Sequence, residues 1–240
     1  MPNLRKLNVI TGYGSTSGHP SVLRQKLQKF LSNNGIDFSF LNSICGHRLV
    51  PVELGSKYTD EDWQQKIIKF NEYLINFIFP QLKEEKQKIG YLAQHRLLDQ
   101  IPELLDDLVI PEYCYFDQNT IEEEKEGNNY KTEKEISEFT INVFIGPGGT
   151  VSPLHTDPRH NMFCQIRGSK FVRLIDPKER ENLYLYDDLM RQNSSQVDVE
   201  SPDLNKFPLF SNVKCYDFLL EEGQCLFIPK GWFHHVRGKY

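Results

Sequence analysis

Apolar positions along this 240-residue chain change period part-way through. Early on the spacing is helical. Leu23, Leu27, Phe30 and Leu31 fall on one side of residues 22–33, which Gly35 closes. A short strand is expected before them at 7–11, a glycine-rich turn at 12–18, and a second strand at 38–41. Trp63, Ile67, Phe70, Leu74 and Phe77 recur at helical spacing. Thr59 can cap that helix, residues 60–62 place acids at its positive end, and Pro80 stops it. From Phe139 onward the chain turns to short strands. The apolar run 140–145 meets the Gly/Pro stretch 146–153, and Gly168-Ser169 between 164–167 and 170–175 is a two-residue hairpin signal. The run 225–228 reaches Pro229-Lys230-Gly231 and re-enters a strand. Helices followed by many strands predict an α+β fold with a β-barrel core. The charged stretch 122–135 reads as a mobile surface loop, with substrate binding as the alternative.

Within the strand-rich part lies His155-Thr156-Asp157, with His234 far downstream. Residues i and i+2 of a strand share a face, so His155 and Asp157 can grip one ion while Thr156 faces away. Two histidines and a carboxylate are the ligand set of non-heme iron(II) oxygenases, which keep open metal positions. A bare HxD with a distant histidine is also common without any metal. His235 competes with His234, but neighbouring strand residues face opposite ways, so only one can point at an ion. Lys170 follows the Gly168-Ser169 turn and enters an apolar strand. It is either an exposed turn lysine or a buried cation that needs an anion. His95 and His160 read as hydrogen-bonded structural histidines.

Bulk properties narrow the partners. The net charge of −5 and a pI of about 5.8 argue against a broad nucleic-acid footprint. An acidic face suits a basic peptide, though a merely solvated surface explains it equally well. Five cysteines, Cys45, Cys114, Cys164, Cys215 and Cys225, are scattered without a CxxC. They read as reduced thiols of a nuclear or cytoplasmic protein rather than a disulfide framework or zinc site. No run is apolar enough for a membrane span and no signal peptide is visible. The loop 12–18 could cradle a phosphate, but it matches no nucleotide fingerprint and reads better as a plain turn.

Residues 146–158, 225–236, 50–63, 91–104 and 195–200 together resemble the JmjC family of iron(II)- and 2-oxoglutarate-dependent oxygenases, in its arginyl-hydroxylase and histone-demethylase branch. The resemblance covers roughly residues 44–237. It implies a double-stranded β-helix, or cupin-type jelly roll, with flanking N-terminal helices. It implies iron(II) on His155, Asp157 and His234. It places 2-oxoglutarate against Tyr91, Ser152, Asn161 and Lys170, and implies O2 as co-reactant. Glu53 and Trp63 match positions beside an arginine-substrate pocket; as plain residues they are a strand-end acid and a helix-core aromatic. The implied reaction hydroxylates a side-chain carbon of a basic histone, ribosomal or chromatin-associated protein, or removes a methyl group from lysine as formaldehyde. Residues 1–43 fall outside the resemblance. Their order of strand, glycine loop and helix weakly resembles part of an Smr domain, a nucleic-acid-associated module. The expected organisation is therefore an atypical segment 1–43 and an oxygenase domain 44–240. Relatives continue into a further strand after Val236-Arg237, so a truncated sheet with an exposed edge is expected. That edge keeps a catalytically silent cupin-type binding module as an alternative function; a nucleic-acid-associated protein is the other.

Overall fold

The computed structural model describes residues 7–12, 38–55, 57–60, 62–79, 89–101, 104 and 140–239. The helix expected at 22–33 and the charged loop 122–135 lie outside them.

Eleven strands among the described residues form two antiparallel sheets. They are β1 (Leu7–Gly12), β2 (Leu49–Leu54), β3 (Gln64–Lys69), β4 (Gly90–His95), β5 (Ile141–Ile145), β6 (Val151–Thr156), β7 (Asn161–Gln165), β8 (Lys170–Ile175), β9 (Cys215–Leu220), β10 (Cys225–Ile228) and β11 (Phe233–Gly238). The larger sheet runs β10-β7-β1-β5-β4-β2-β3, and the smaller β6-β11-β8-β9. Between β5 and β8 each successive strand changes sheet, and β9, β10 and β11 change sheet again. This crossing pattern is the jelly roll expected from the sequence. Phe163 of β7 and Ile228 of β10 pack with Val172 of β8, Leu220 of β9 and Val236 of β11. The two sheets therefore face each other across a shared apolar interior.

Both outer faces are covered. Helix α1 (Phe38–Cys45), helix α2 (Phe70–Tyr73) with its π-type continuation Leu74–Ile78, and helix α3 (Leu97–Gln100) bury Leu41, Cys45, Phe70, Tyr73, Leu97 and Leu98 against Val50, Leu92, Val143 and Ile145 of the larger sheet. Leu183, Val197, Val199, Phe207 and Phe210, from the segment joining β8 to β9, cover Leu154, Ile175 and Phe233 of the smaller sheet.

Three local expectations are corrected. Residues 38–41 belong to helix α1, not to a strand. Leu41, Ile44 and Cys45 form its inward stripe, and the Cys45 thiol donates to the Leu41 carbonyl. The helix expected from Thr59 begins only at Phe70, because Gln64–Lys69 pairs along β2. The β-branched Ile67 and Ile68 suit that edge strand, and Trp63 lies in the turn before it rather than in a helix core. Gly168-Ser169 is a tight turn with Gly168 at φ 73°, but it joins no hairpin. β7 and β8 sit in different sheets, so the turn crosses the jelly roll.

β5 and β7 do not pair with each other directly. β1 lies between them, pairing Leu7–Thr11 with Ile145–Ile141 on one side and Asn8–Gly12 with Gln165–Asn161 on the other. A strand hydrogen-bonded on both sides cannot lose an N–H without leaving a carbonyl unmatched. Val9→Pro is therefore expected to lower the melting temperature by roughly 5 °C or more, measured by calorimetry. An unchanged melting temperature would show that β1 contributes nothing to the sheet.

Candidate metal centre and cosubstrate pocket

The site begins with strand register. β11 pairs with β6 so that His234 lies directly across from His155. Directly opposed residues on an antiparallel pair project to the same face. Their ring centroids are 4.2 Å apart. Asp157, two residues beyond His155, joins them. His155 Nε2 lies 3.9 Å from Asp157 Oδ1 and His234 Nε2 lies 3.4 Å from Oδ2. One ligand atom from each of the three falls within 4.8 Å of the others.

Two main-chain carbonyls orient the rings. His155 Nδ1 lies 2.7 Å from the Pro153 oxygen, and His234 Nδ1 lies 3.2 Å from the Trp232 oxygen. A carbonyl only accepts, so each Nδ1 donates there and each Nε2 is turned toward Asp157. Burial first, then neighbouring His234, pushes the His155 pKa down to about 4. Burial alone would raise the Asp157 carboxyl. The hydrogen bond and charge of His234, with His155 and the Asn161 amide, outweigh it and hold the group well below the usual carboxylate range. A neutral His155 and an ionised Asp157 are the protonation states that a divalent cation requires. These residues therefore fit a metal.

His235 faces the other way, as alternation demands. It bonds Glu200 Oε1 through Nε2 at 2.8 Å, and Arg237 grips both oxygens of the same carboxylate. Burial drives the His235 pKa down, so at neutral pH the Arg237 guanidinium is the charge that holds Glu200. His160 Nδ1 accepts from the Lys230 amide and its ring stacks on Phe227. His95 contacts Gln100. His160 and His95 thus make hydrogen bonds away from the ligand cluster, consistent with their reading as hydrogen-bonded histidines.

A second cluster lies further along the interior. Lys170, Val172 and Leu174 alternate along β8, with Val172 opposite Val236 and Leu174 opposite His234. Lys170 is thus displaced from the His234 level by four residues, roughly 13 Å of strand. It is 2% exposed, so the exposed turn lysine is excluded. Its ammonium donates to the Tyr91 hydroxyl at 2.9 Å and sits 5.3, 5.7 and 5.4 Å from the ring centres of Tyr91, Phe144 and Phe163. Burial, then Glu53, raises the Tyr91 hydroxyl far above its usual range, while a hydrogen bond with Ser152 opposes the rise. Tyr91, Ser152 and Lys170 therefore meet in one pocket. Gly146 makes room for it, since a Cβ there would come within 2.6 Å of the Tyr91 ring.

Ser152 reaches this pocket through an irregularity of β6. His155 and Ser152 are three apart and should face opposite ways. Their partners His234 and Val236 are two apart, so β6 carries one extra residue at Pro153-Leu154. Proline, with no N–H for the ladder, suits that bulge. Asn161 belongs to the metal end, where its amide donates to Asp157 Oδ2 at 2.6 Å.

Glu53 lies directly across from Tyr91, on the pocket side. Burial pushes its carboxyl up, and nearby Trp63 partly offsets this. The Trp63 Nε1 is buried without a well-formed hydrogen bond, so its influence is that of a neighbouring dipole. Tyr58 and Ser194 were not singled out from sequence. The Tyr58 hydroxyl and Ser194 Oγ are 2.9 Å apart, Ser194 pairs with His155, and the Tyr58 ring meets His155 edge-on at 6.4 Å. Burial raises the Tyr58 hydroxyl, and the charges of both Asp157 and Glu53 add to the rise. Tyr58 therefore lies beside the metal end. Its only sequence signal was its place within the family-like stretch 50–63.

A family profile described as "Cupin-like domain" matches residues 21–239. Lysine-specific demethylase 8 of Xenopus tropicalis is 44% identical over 82% of this chain and 40% of its own length. JmjC domain-containing protein D of Dictyostelium discoideum is 40% identical over 92% of this chain and 49% of its own. Jumonji C domain-containing protein 5 of Drosophila melanogaster is 36% identical over 93% and 52%. The chain belongs to the cupin-like JmjC family. It spans about half the length of these relatives. The JmjC family implies iron(II) and 2-oxoglutarate, and the donor set described above is compatible with both.

Titration of this JmjC chain with Mn(II) separates the two adjacent histidines. His234→Ala is expected to weaken binding by at least about 100-fold. His235→Gln, which keeps a polar partner for Glu200, should leave affinity within about threefold. The opposite pattern would transfer the ligand role to His235.

Proposed function

We propose that this chain is the oxygenase portion of an iron(II)- and 2-oxoglutarate-dependent protein hydroxylase acting on a cationic side chain, arginine in preference to methyl-lysine. The observation that carries the reading is the buried Lys170 ammonium, in the same interior as the His155–Asp157–His234 cluster and four strand residues from its level.

His155 Nε2, His234 Nε2 and an Asp157 oxygen would hold the metal. Lys170, Tyr91 and Ser152 would take the distal carboxylate of 2-oxoglutarate. A dicarboxylate held by Lys170 would lie in the gap between the two clusters. Bound iron and 2-oxoglutarate supply the activation of O2 that places an oxygen atom on a substrate carbon. The remaining residues position and select. Asn161 fixes the Asp157 carboxylate, so that its oxygens keep their direction. Three aromatic faces and Tyr91 hold the ammonium where an anion gains both charge and hydrogen bonding. Covalently, the product depends on the carbon: an alcohol on an arginine carbon persists, whereas one on an N-methyl carbon breaks down to formaldehyde and the demethylated amine.

Glu53 supports the arginine preference. Its carboxyl is raised by burial, so a planar guanidinium would supply a counter-charge, with Trp63 offering an aromatic face. Methyl-lysine is the second reading, favoured by the names of two relatives, Lysine-specific demethylase 8 and Lysine-specific demethylase JMJ30 of Arabidopsis thaliana. The proposed substrates are basic histone, ribosomal or chromatin-associated proteins, met in nucleus or cytoplasm. The proposed division keeps 1–43 as an N-terminal segment that supplies β1 to the larger sheet and most of helix α1, and 44–240 as the oxygenase domain. The intact His155–Asp157–His234 donor set supports the oxygenase reading over the silent module. The acidic charge disfavours the nucleic-acid reading.

The test incubates basic peptides with the chain, iron(II), ascorbate and 2-oxoglutarate, followed by mass spectrometry. A gain of one oxygen on arginine is expected. Lys170→Ala should weaken 2-oxoglutarate binding by roughly 10- to 100-fold. Glu53→Ala should reduce peptide turnover by roughly 10-fold or more while sparing uncoupled 2-oxoglutarate consumption. Formaldehyde release from methyl-lysine peptides without arginine oxidation would overturn the substrate preference. No 2-oxoglutarate consumption in the presence of bound metal would establish the silent module.

A further inference from the structure

Cys164 on β7 and Cys225 on β10 are directly paired across the two strands, and their sulfurs are 3.0 Å apart. The next pair, Gln165 and Gln224, is joined by an amide-to-carbonyl hydrogen bond. Cys164 and Cys225 therefore occupy a non-hydrogen-bonded position, where Cα atoms approach to roughly 4.5 Å, inside the range that a disulfide spans. Phe163 points into the interior with Ile228 and Val236, and Asn161 points toward Asp157. By alternation Cys164 faces the opposite side of the sheet, away from the metal cluster. Cys225 is half-buried at the start of β10, the edge strand of the larger sheet, so a small oxidant reaches it first. Cys164 is 7% exposed and lies behind it.

We propose that Cys164 and Cys225 are a peroxide-oxidisable dithiol that closes to a thiol-reversible disulfide and staples edge strand β10 to β7. Peroxide oxidises the Cys225 sulfur to a sulfenic acid as its O–O bond breaks, releasing one water. The Cys164 sulfur then attacks the Cys225 sulfur; the S–O bond breaks, the S–S bond forms, and the departing hydroxide takes the Cys164 proton as a second water. Two electrons leave the sulfur pair and reduce one peroxide. The strands need shift only enough to bring the sulfurs from 3.0 Å to about 2.05 Å. The bond closes a loop 61 residues long and thereby constrains the unfolded chain. It also fastens the strand whose far residue, Ile228, pairs with Asn161. Reversible disulfides of this kind belong to redox-responsive proteins of reducing compartments.

The test treats the full chain with hydrogen peroxide in the presence of a metal chelator, followed by blocking of remaining thiols and peptide mapping without reductant. A linked peptide pair containing Cys164 and Cys225 is expected, lost on addition of dithiothreitol. The melting temperature should rise by roughly 5–10 °C on oxidation and fall back on reduction. Cys225→Ser, at the half-exposed position, and Cys164→Val, which suits a buried strand residue, should each abolish the shift. Linkage of either residue to a different cysteine, over-oxidation of Cys225 without any link, or an unchanged melting temperature despite the link would overturn the proposal.

Discussion

The site depends on the pairing of His234 with His155 across β11 and β6. These residues are far apart in the chain, and only strand register brings them together. A slip by one residue would turn His234 outward and His235 inward. The outward face resists that slip. There His235 and Arg237 both bond Glu200, while Arg173 on neighbouring β8 binds Asp217 through two nitrogens. Charges on the outside thus help define which histidine stands inside. The same register places Leu174, Val172 and Lys170 in line below the metal ligands.

Lys170 marks the other pole. An ammonium taken out of water costs several kcal/mol unless hydrogen bonds and charge compensate. The protein offers it the Tyr91 hydroxyl and three aromatic faces, and a dicarboxylate bound between this pole and a metal would add a charge partner. Pocket and ligand cluster are joined by β6, where the bulge at Pro153-Leu154 lets Ser152 and His155 face one cavity despite odd spacing. The His155–Asp157–His234 cluster and the Lys170 pocket therefore share the β6–β11–β8 strands, with Tyr91 reaching in from β4.

Much of this was legible in the sequence. Strand-like spacing after Phe139 marked the later strands but not β2, β3 and β4, which precede it, and the HxD spacing put His155 and Asp157 on one face. Alternation predicted that only one of His234 and His235 could face inward, though not which. Family resemblance, rather than residue physics, singled out Lys170, Tyr91, Ser152, Asn161 and Glu53. What failed was local. Ile67 and Ile68 fit a helical stripe and an edge strand equally well until β2 is present to pair with them. Gly168-Ser169 gives the same turn signal whether its strands pair or cross between sheets. The seat of β1 and the Cys164–Cys225 approach depend on long-range pairing that no local pattern encodes.

A crystal structure of the chain grown with Mn(II) and 2-oxoglutarate under anaerobic conditions tests the central claim most directly. The account predicts one metal bound by His155 Nε2, Asp157 and His234 Nε2, with the cosubstrate's distal carboxylate on Lys170 and Tyr91. A metal on His235, or a dicarboxylate held away from Lys170, would contradict it.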